Sequence, residues 1–274
     1  MKIGSQTHRA SAISTSNAAT IVVRGHDLCA DLIGRISFTD HIWLLVTGQL
    51  PSDAQRRVLD ATLVAIAEHG LVPSVQASRM TLASAPEALQ GAVAAGILGC
   101  GSVILGAAET AGQLLQQVVN RAATSSAALD VAATEVVRQY LAAGRPIPGY
   151  GHPLHKGHDP RAVRLIEIAE QSGSRGRFTD SALAVERVLP GLTGKQLAMN
   201  VSGAIPSVLL DAGYPLLALK GVPILARTAS LIAHLLEEQS RPIGFVLSHA
   251  GAQAIDYDGP TPPGFAAPDA AGST

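Results

Sequence analysis

A histidine set between glycines and followed seven residues later by Asp-Pro-Arg is the arrangement in this 274-residue chain best suited to holding a small anion. It lies in residues 147–161 and reads Pro148-Gly149-Tyr150-Gly151-His152, then Lys156, then Asp159-Pro160-Arg161. Pro148, Gly149 and Gly151 exclude a regular helix, so the backbone around His152 can approach a ligand with no side chain in the way. Asp159 and Pro160 are the types favoured at a helix cap and at the first helical position, and Ala162, Val163, Leu165, Ile166 and Ala169 follow at helical spacing. Arg161 therefore falls in a first turn, where its guanidinium and the exposed N–H groups make a corner for a carboxylate. Lys156 adds a flexible point charge suited to a phosphate. The plainer alternative is a polar loop between two helices, and the glycine frame joined to Asp-Pro-Arg favours function over it.

The elements that must position this loop read as helices almost throughout, over residues 38–47, 53–68, 86–98, 109–122, 127–142, 160–171, 180–188, 194–210 and 215–238. No alternating pattern of strand type competes with them, and no internal repeat is present. Breaks are expected at 48–52, 70–73, 144–159, 173–177, 190–194 and 213–215, each carrying the Gly or Pro that ends a helix. The fold class is therefore all-α. From Pro260 onward the chain is too poor in large apolar residues to pack, which predicts a flexible tail over 260–274.

Composition agrees with a large apolar core, at 47% hydrophobic, 3% aromatic and 15% charged residues. A formal net charge of -1 supplies no global field for nucleic acid or an anionic membrane, so an anionic ligand needs a local pocket. Cys29 and Cys100 lie in apolar surroundings and read as reduced core residues, neither a disulfide framework nor a metal-ligand pair. Residues 1–9 hold no apolar stretch of the kind a secretion signal needs, which predicts a cytoplasmic location. The run 91–108 is the candidate for a membrane span, but Gly and Ala dominate it and Ser102 interrupts it, so a buried, closely packed helix is expected. That run and the helix 215–238 are both too apolar for one solvated face, which predicts a homodimer or a higher homo-oligomer.

The central motif resembles the citrate synthase superfamily, whose members carry Pro-Gly-[Phe/Tyr]-Gly-His followed by Asp-Pro-Arg at this spacing. Residues 21–28, 38–51, Asn200-Val201 and Ala226-Arg227-Thr228 are similar to family segments in the family's order, so the resemblance covers nearly the whole chain. The ending, residues 235–243, Ser248-His249-Ala250 and 257–260, is most similar to the short citryl-CoA lyases and the lyase module of ATP-citrate lyase. The resemblance implies a large helical domain, 1–106 with 209–259, and a smaller inserted one, 107–208, with the active site between them. It implies coenzyme A as the acyl carrier, an oxoacid substrate and no metal. His69, His152, Arg161 and Arg227 carry over as ligands for carboxylates and carbonyl, and His152 and Ser202 stand at the positions of the chemistry. Gly149, Tyr150, Gly151 and Lys156 are the residues for coenzyme A. For His69 a plainer role is a helix C-terminal histidine stabilised by the dipole; for Arg227 it is a pair with Glu237 or Glu238. Arg79 and Arg241 are weaker candidates, and in dimeric family members an arginine near the chain end reaches the partner's site.

Two positions depart from the family. Ile104 stands where citrate synthases carry a histidine that polarises the thioester carbonyl; the citryl-CoA lyase module lacks that histidine too. Ser202 stands where the family reads Asn-Val-Asp and uses the aspartate as acid and base for the acetyl group. A serine hydroxyl has no useful charge near neutral pH. Cleaving citryl-CoA requires charge stabilisation for its carboxylates, a hydrogen bond to the hydroxyl or keto oxygen, and a group that handles the acetyl proton. The expectation is a CoA-thioester carbon–carbon lyase acting on citryl-CoA or a related 3-hydroxyacyl-CoA; the alternative is a noncatalytic descendant that binds carboxylate and CoA. Asp211 and Glu109 are the other carboxylates considered for the acetyl proton, and neither is favoured.

Overall fold

The computed structural model describes residues 9–101, 107–151 and 158–265. Its first helices are α1 (Phe38–Thr47), α2 (Asp53–Ala67), α3 (Pro73–Ser84) and α4 (Leu89–Leu98). Then come α5 (Ala107–Ser125), α6 (Leu129–Ala142), α7 (Pro160–Gln171), α8 (Arg177–Thr193), α9 (Val201–Asp211), α10 (Gly221–Ser240) and α11 (Gly244–Gln253). Local chemistry starts and stops them. Ser37 with Asp40 and Ser52 with Gln55 form reciprocal capping boxes at α1 and α2. Gly194, at φ 68°, ends α8 in the left-handed conformation that costs a residue with a Cβ.

One apolar core runs through α2, α5, α6, α7, α8, α9 and the start of α10, with Leu59, Leu114, Val137, Leu189, Ile205 and Leu209 all buried. Ala132 and Ala133 of α6 and Ala182 and Ala184 of α8 are fully buried, and small side chains let these two neighbours approach closely. A second, smaller layer stacks α3, α4 and α10 around Leu82, Ala92 and Leu235, with α11 laid on α3. The two layers meet at α2, which packs on α10 and also on α7 and α9. The expected boundary at 208/209 falls inside α9.

Several expectations need correction. The chain begins with an antiparallel meander, β1 (Ser14–Ser16), β2 (Ile21–Val23) and β3 (His26–Asp27), where no strand was expected. Arg24 and Gly25, at φ 50° and 87°, make the tight turn between β2 and β3. Helices α3 and α11 appear where none was assigned, and α8 runs through Pro190 to Gly194 instead of breaking there. The helix expected over 194–210 starts only at Val201, because the stretch before it is used to pair with Tyr150. Cys29 is exposed, while Cys100 is buried as expected. Among the described residues the segment long and apolar enough to cross a membrane is Leu216–Ser240, and part of the run 91–108 lies outside them. Its helix buries Leu231, Leu235, Arg227 and Glu238 against the protein.

Candidate active site

Two helix ends carry Gly149, Tyr150, Gly151, Asp159, Arg161 and Ser202 on one side and His69 and Arg227 on the other. The first is the start of α9. Gly149-Tyr150-Gly151 lies along Ala198–Asn200 like a short strand, with Gly151 N–H donating to Ala198 O at 2.7 Å and Asn200 N–H donating to Gly149 O at 2.9 Å. Asn200 Nδ2 donates to Gly151 O, and Asn200 Oδ1 accepts from Ser202 N–H at 2.9 Å as the cap of α9. Ser202 is thereby held half-buried in the first turn of α9, beside the glycine segment. The approach is so close that a Cβ on Gly149 would lie 2.7 Å from Gly203 Cα. Tyr150 turns inward: its hydroxyl donates to Ala182 O at 2.8 Å, and burial, reinforced by Glu186, pushes the phenol well up. What this tyrosine presents to a ligand is backbone.

Asp159 joins this end to α7. Its carboxylate caps α7 through Arg161 N–H at 3.0 Å, accepts Val201 N–H at 2.9 Å, and receives Arg161 Nε and Nη2 at 3.0 and 2.9 Å. Burial works against this charge, but the hydrogen bonds from Arg161 and the two amides outweigh it and hold the carboxyl below its usual range. The cap expected at Asp159 is present, and Arg161 sits in the first turn as read. Its Nε and Nη2 are engaged by Asp159, which leaves the Nη1 edge of the guanidinium for other contacts. His152, Lys156 and Ile104 lie outside the described residues.

The second end is the last turn of α2. Arg161 lines an apolar groove with Ala61 and Ala65 of α2 and Leu165 of α7. One residue beyond Ala65, Ile66 O lies 3.5 Å from Arg227 Nη2 of α10. Arg161 and Arg227 thus approach the same turn of α2, and His69 follows that turn, exposed and two residues past the helix end. Arg227 is buried, and its Nε and Nη1 have no hydrogen-bond partner among the described residues; the buried Ser74 Oγ is in the same condition. Burial pushes the nearby Cys100 thiol up, opposed by Ser74 and by the positive charge of Arg227.

The pairing of Arg227 with Glu237 or Glu238 does not occur. Ten residues along one helix separate Arg227 from Glu237 by about 15 Å. Those carboxylates instead serve Arg79, through Nη1 to Glu237 at 2.8 Å and Nε to Glu238 at 2.6 Å, with Nη2 donating to Arg241 O at 2.9 Å. Arg79 is therefore a structural residue. The exposed Arg241 guanidinium reaches Glu237 at 3.5 Å. Asp211 is equally committed: it caps α8 through the N–H groups of Gly176, Phe178 and Thr179, at 2.8, 2.8 and 2.9 Å. Glu109 sits half-buried in the first turn of α5.

Glu68, Ser230 and His234 were not anticipated. Glu68 follows α2 directly and accepts hydrogen bonds from Ser230 Oγ and, at 3.1 Å, from His234 Nε2. The signal was available, since Arg227, Ser230 and His234 form a polar stripe at three- and four-residue spacing on an otherwise apolar helix.

Residues 52–244 match the family model described as "Citrate synthase, C-terminal domain". The citrate/2-methylcitrate synthase of Bacillus subtilis is 26% identical over 209 residues, covering 75% of this chain and 53% of that protein. The chain spans about half the length of the curated relatives it matches. Among solved structures, citryl-CoA lyase from Hydrogenobacter thermophilus superposes with a TM-score of 0.83 at 32% identity, over 94% of this chain and 97% of that one. Methanosaeta concilii ATP citrate lyase in complex with (3S)-citryl-CoA gives a TM-score of 0.76 at 23% identity, over 93% of this chain and 42% of that one, a likeness of fold.

Proposed function

The chain belongs to the citrate synthase family, and on that premise we propose that it is a carbon–carbon lyase of the citryl-CoA type, cleaving citryl-CoA to acetyl-CoA and oxaloacetate or running the condensation in reverse. The observation that carries this reading is the Arg227 guanidinium, buried with two nitrogens unpartnered among the described residues and set against the same turn of α2 as Arg161 and His69. Burying an unpaired charge costs several kcal/mol, so such a group is retained where a ligand supplies the partner. Arg227, Arg161 and His69 hold the carboxylates, and His152 takes the hydroxyl or keto oxygen. Coenzyme A is assigned to the backbone of Gly149, Tyr150 and Gly151 and to Lys156.

In the cleavage direction the hydroxyl passes its proton to His152 as it becomes the keto oxygen of oxaloacetate. The bond to the acetyl unit breaks, its electron pair passes into an acetyl-CoA enolate, and the enolate carbon takes a proton. Ser202, at the start of α9, occupies the place for that last transfer. With a serine at this position in place of an aspartate, the step is slow relative to an aspartate-bearing enzyme. Ser202 and Ile104 favour one second reading, a noncatalytic module that binds carboxylate and CoA. Titration calorimetry with coenzyme A, oxaloacetate and citrate, run beside a citryl-CoA cleavage assay, separates the two. Binding with turnover supports the lyase, binding without turnover supports the module, and absence of binding overturns both.

The proposal includes a homodimer in the cytoplasm and a large helical body with 107–208 inserted. Helices α4, α10 and α11 all pack on α3 and leave Leu98, Ile232, Leu236 and Phe245 exposed, an apolar surface suited to a second copy of the chain. Light scattering that finds only a monomer at micromolar concentration removes this part.

A further inference from the structure

We propose that Glu68 is a positioning residue for the carboxylate pocket, fixing the turn that carries His69 against the face of α10 that carries Arg227. The inference rests on the assignment of His69 and Arg227 as oxaloacetate ligands and adds the device that sets their spacing.

The geometry is local on one side and long-range on the other. Helix α2 ends at Ala67, and Glu68 leaves it in an extended conformation. One carboxylate oxygen accepts Gly70 N–H, which closes a turn around His69. Gly70 adopts φ 68°, a left-handed conformation natural to glycine, and Val72 N–H donates back to Gly70 O at 2.8 Å. The other oxygen accepts Ser230 Oγ and His234 Nε2. Ser230 and His234 share their face of α10 with Arg227, three and seven residues along. A single carboxylate thus connects the backbone on both sides of His69 to the helix face of Arg227.

An ordinary surface ion pair would not do this, since such pairs contribute little and tolerate many geometries. Glu68 differs in that three donors from two separate segments converge on it. Burial pushes its carboxyl up, yet the hydrogen bonds from Ser230, Gly70 and His234 prevail and hold it at about 2. His234 Nδ1 is buried without a partner among the described residues, so Glu68 is the anchor they offer this ring. The arrangement acts on geometry more than on stability, because the Glu68 side chain stays about half exposed.

The test uses the full chain and two readouts. Hydrogen exchange of ligand-free protein follows the peptides spanning 66–72, and calorimetry measures oxaloacetate affinity. Both are applied to wild type, Glu68→Ala, Glu68→Gln, His69→Ala and the double variant Glu68→Ala/His69→Ala. Glu68→Ala is expected to speed exchange at 69–72 and to weaken oxaloacetate at least ~10-fold, up to about 100-fold, as misplaced binding groups do. The double variant should bind no more weakly than His69→Ala alone, because both changes remove the same contact. Glu68→Gln, which keeps one acceptor oxygen, should fall between wild type and Glu68→Ala. Wild-type affinity in Glu68→Ala beside a weakened His69→Ala overturns the inference, and so does an additive loss in the double variant. If wild type binds no oxaloacetate, the assignment of His69 and Arg227 falls and takes the inference with it, a failure distinct from the other two. Should Glu68→Ala not fold, the same readouts on Glu68→Gln and His234→Ala decide.

Discussion

Arg79 on α3 and Arg227 on α10 are equally buried, each 2% exposed, yet the fold treats them in opposite ways. Arg79 is matched on three nitrogens, by Glu238, Glu237 and Arg241 O. Glu238 in turn accepts the N–H groups of Ile243 and Gly244, so the pair also shapes the start of α11. Among the described residues Arg227 has one long contact, to Ile66 O. Two identical side chains at identical depth therefore separate into a charge satisfied inside the protein and one with capacity for a carboxylate. Burial alone distinguishes neither; the inventory of partners does.

The comparison breaks most readily at Arg79. Arg79→Met leaves Glu238 buried without its cation, so urea unfolding should show a loss of ~3 to 5 kcal/mol. A loss below ~1 kcal/mol would mean the pair is replaceable and Arg79 is no structural counterpart to Arg227. Arg227→Met should do the reverse. Oxaloacetate or citrate binding is expected to weaken by about 2 to 5 kcal/mol in calorimetry, while the melting temperature holds or rises, because a buried charge with no carboxylate partner among the described residues has been removed. Unchanged affinity with a fall in stability would move Arg227 into the structural class.

Asp159 sharpens the contrast, since Arg161 stands between the two extremes, partly exposed and held by one carboxylate. Asp159→Asn should cost ~1 to 2 kcal/mol through its role as a helix cap and should flatten the acid limb of the stability curve. Asp159 and Glu68 are both held below their unfolded values of 3.8 and 4.5. The unfolded chain therefore takes up protons first on acidification, and this contribution, complete above about pH 5, is lost as the pH falls toward 2. Urea midpoints measured from pH 6 down to 3 should fall more steeply for wild type than for Asp159→Asn or Glu68→Gln. The smallest expected effect concerns chemistry instead of binding. Ser202→Asp should raise citryl-CoA cleavage at least ~10-fold, a modest share of what acid–base groups contribute. Fast cleavage by wild type that the aspartate slows would place the proton carrier elsewhere.

Helices α1 and α7 were legible because their ends carry clear caps: α1 begins at the Ser37–Asp40 capping box and ends at Gly48, and α7 begins at Asp159-Pro160 with an apolar buried face of Ala162, Leu165 and Ala169. Helix α3 was not, since three of its five buried residues are Ser74, Ser78 and Arg79, which a hydrophobic pattern does not register. The stretch before Val201 misled for the opposite reason. Its apolar residues Ala198 and Met199 fit a helix in one dimension, and only the distant glycine segment claims them. The strands escaped notice because β1 is wholly exposed and three residues long. Among the candidate site residues, the cap at Asp159 and the first-turn place of Arg161 were legible in local sequence and Arg227 only through the family resemblance, whereas Glu68 gains its meaning from Ser230 and His234, 162 and 166 residues away. The partners of Arg79 are equally remote, 158 and 159 residues along the chain.

The contact between Gly149 and Gly203 has a consequence for how this protein tolerates sequence change. A Cβ on Gly203 would lie 2.6 Å from Gly149 O, and one on Gly149 would strike Gly203 Cα while forcing a side chain onto φ 88°. Either substitution alone must part the two backbones and break the bond from Asn200 N–H to Gly149 O. Once they are parted, most of the damage is done, so alanine at both positions should harm the fold far less than the sum of the two single changes. In a pairwise mutational scan these two positions, 54 residues apart in the chain, should register as one indivisible unit of inheritance.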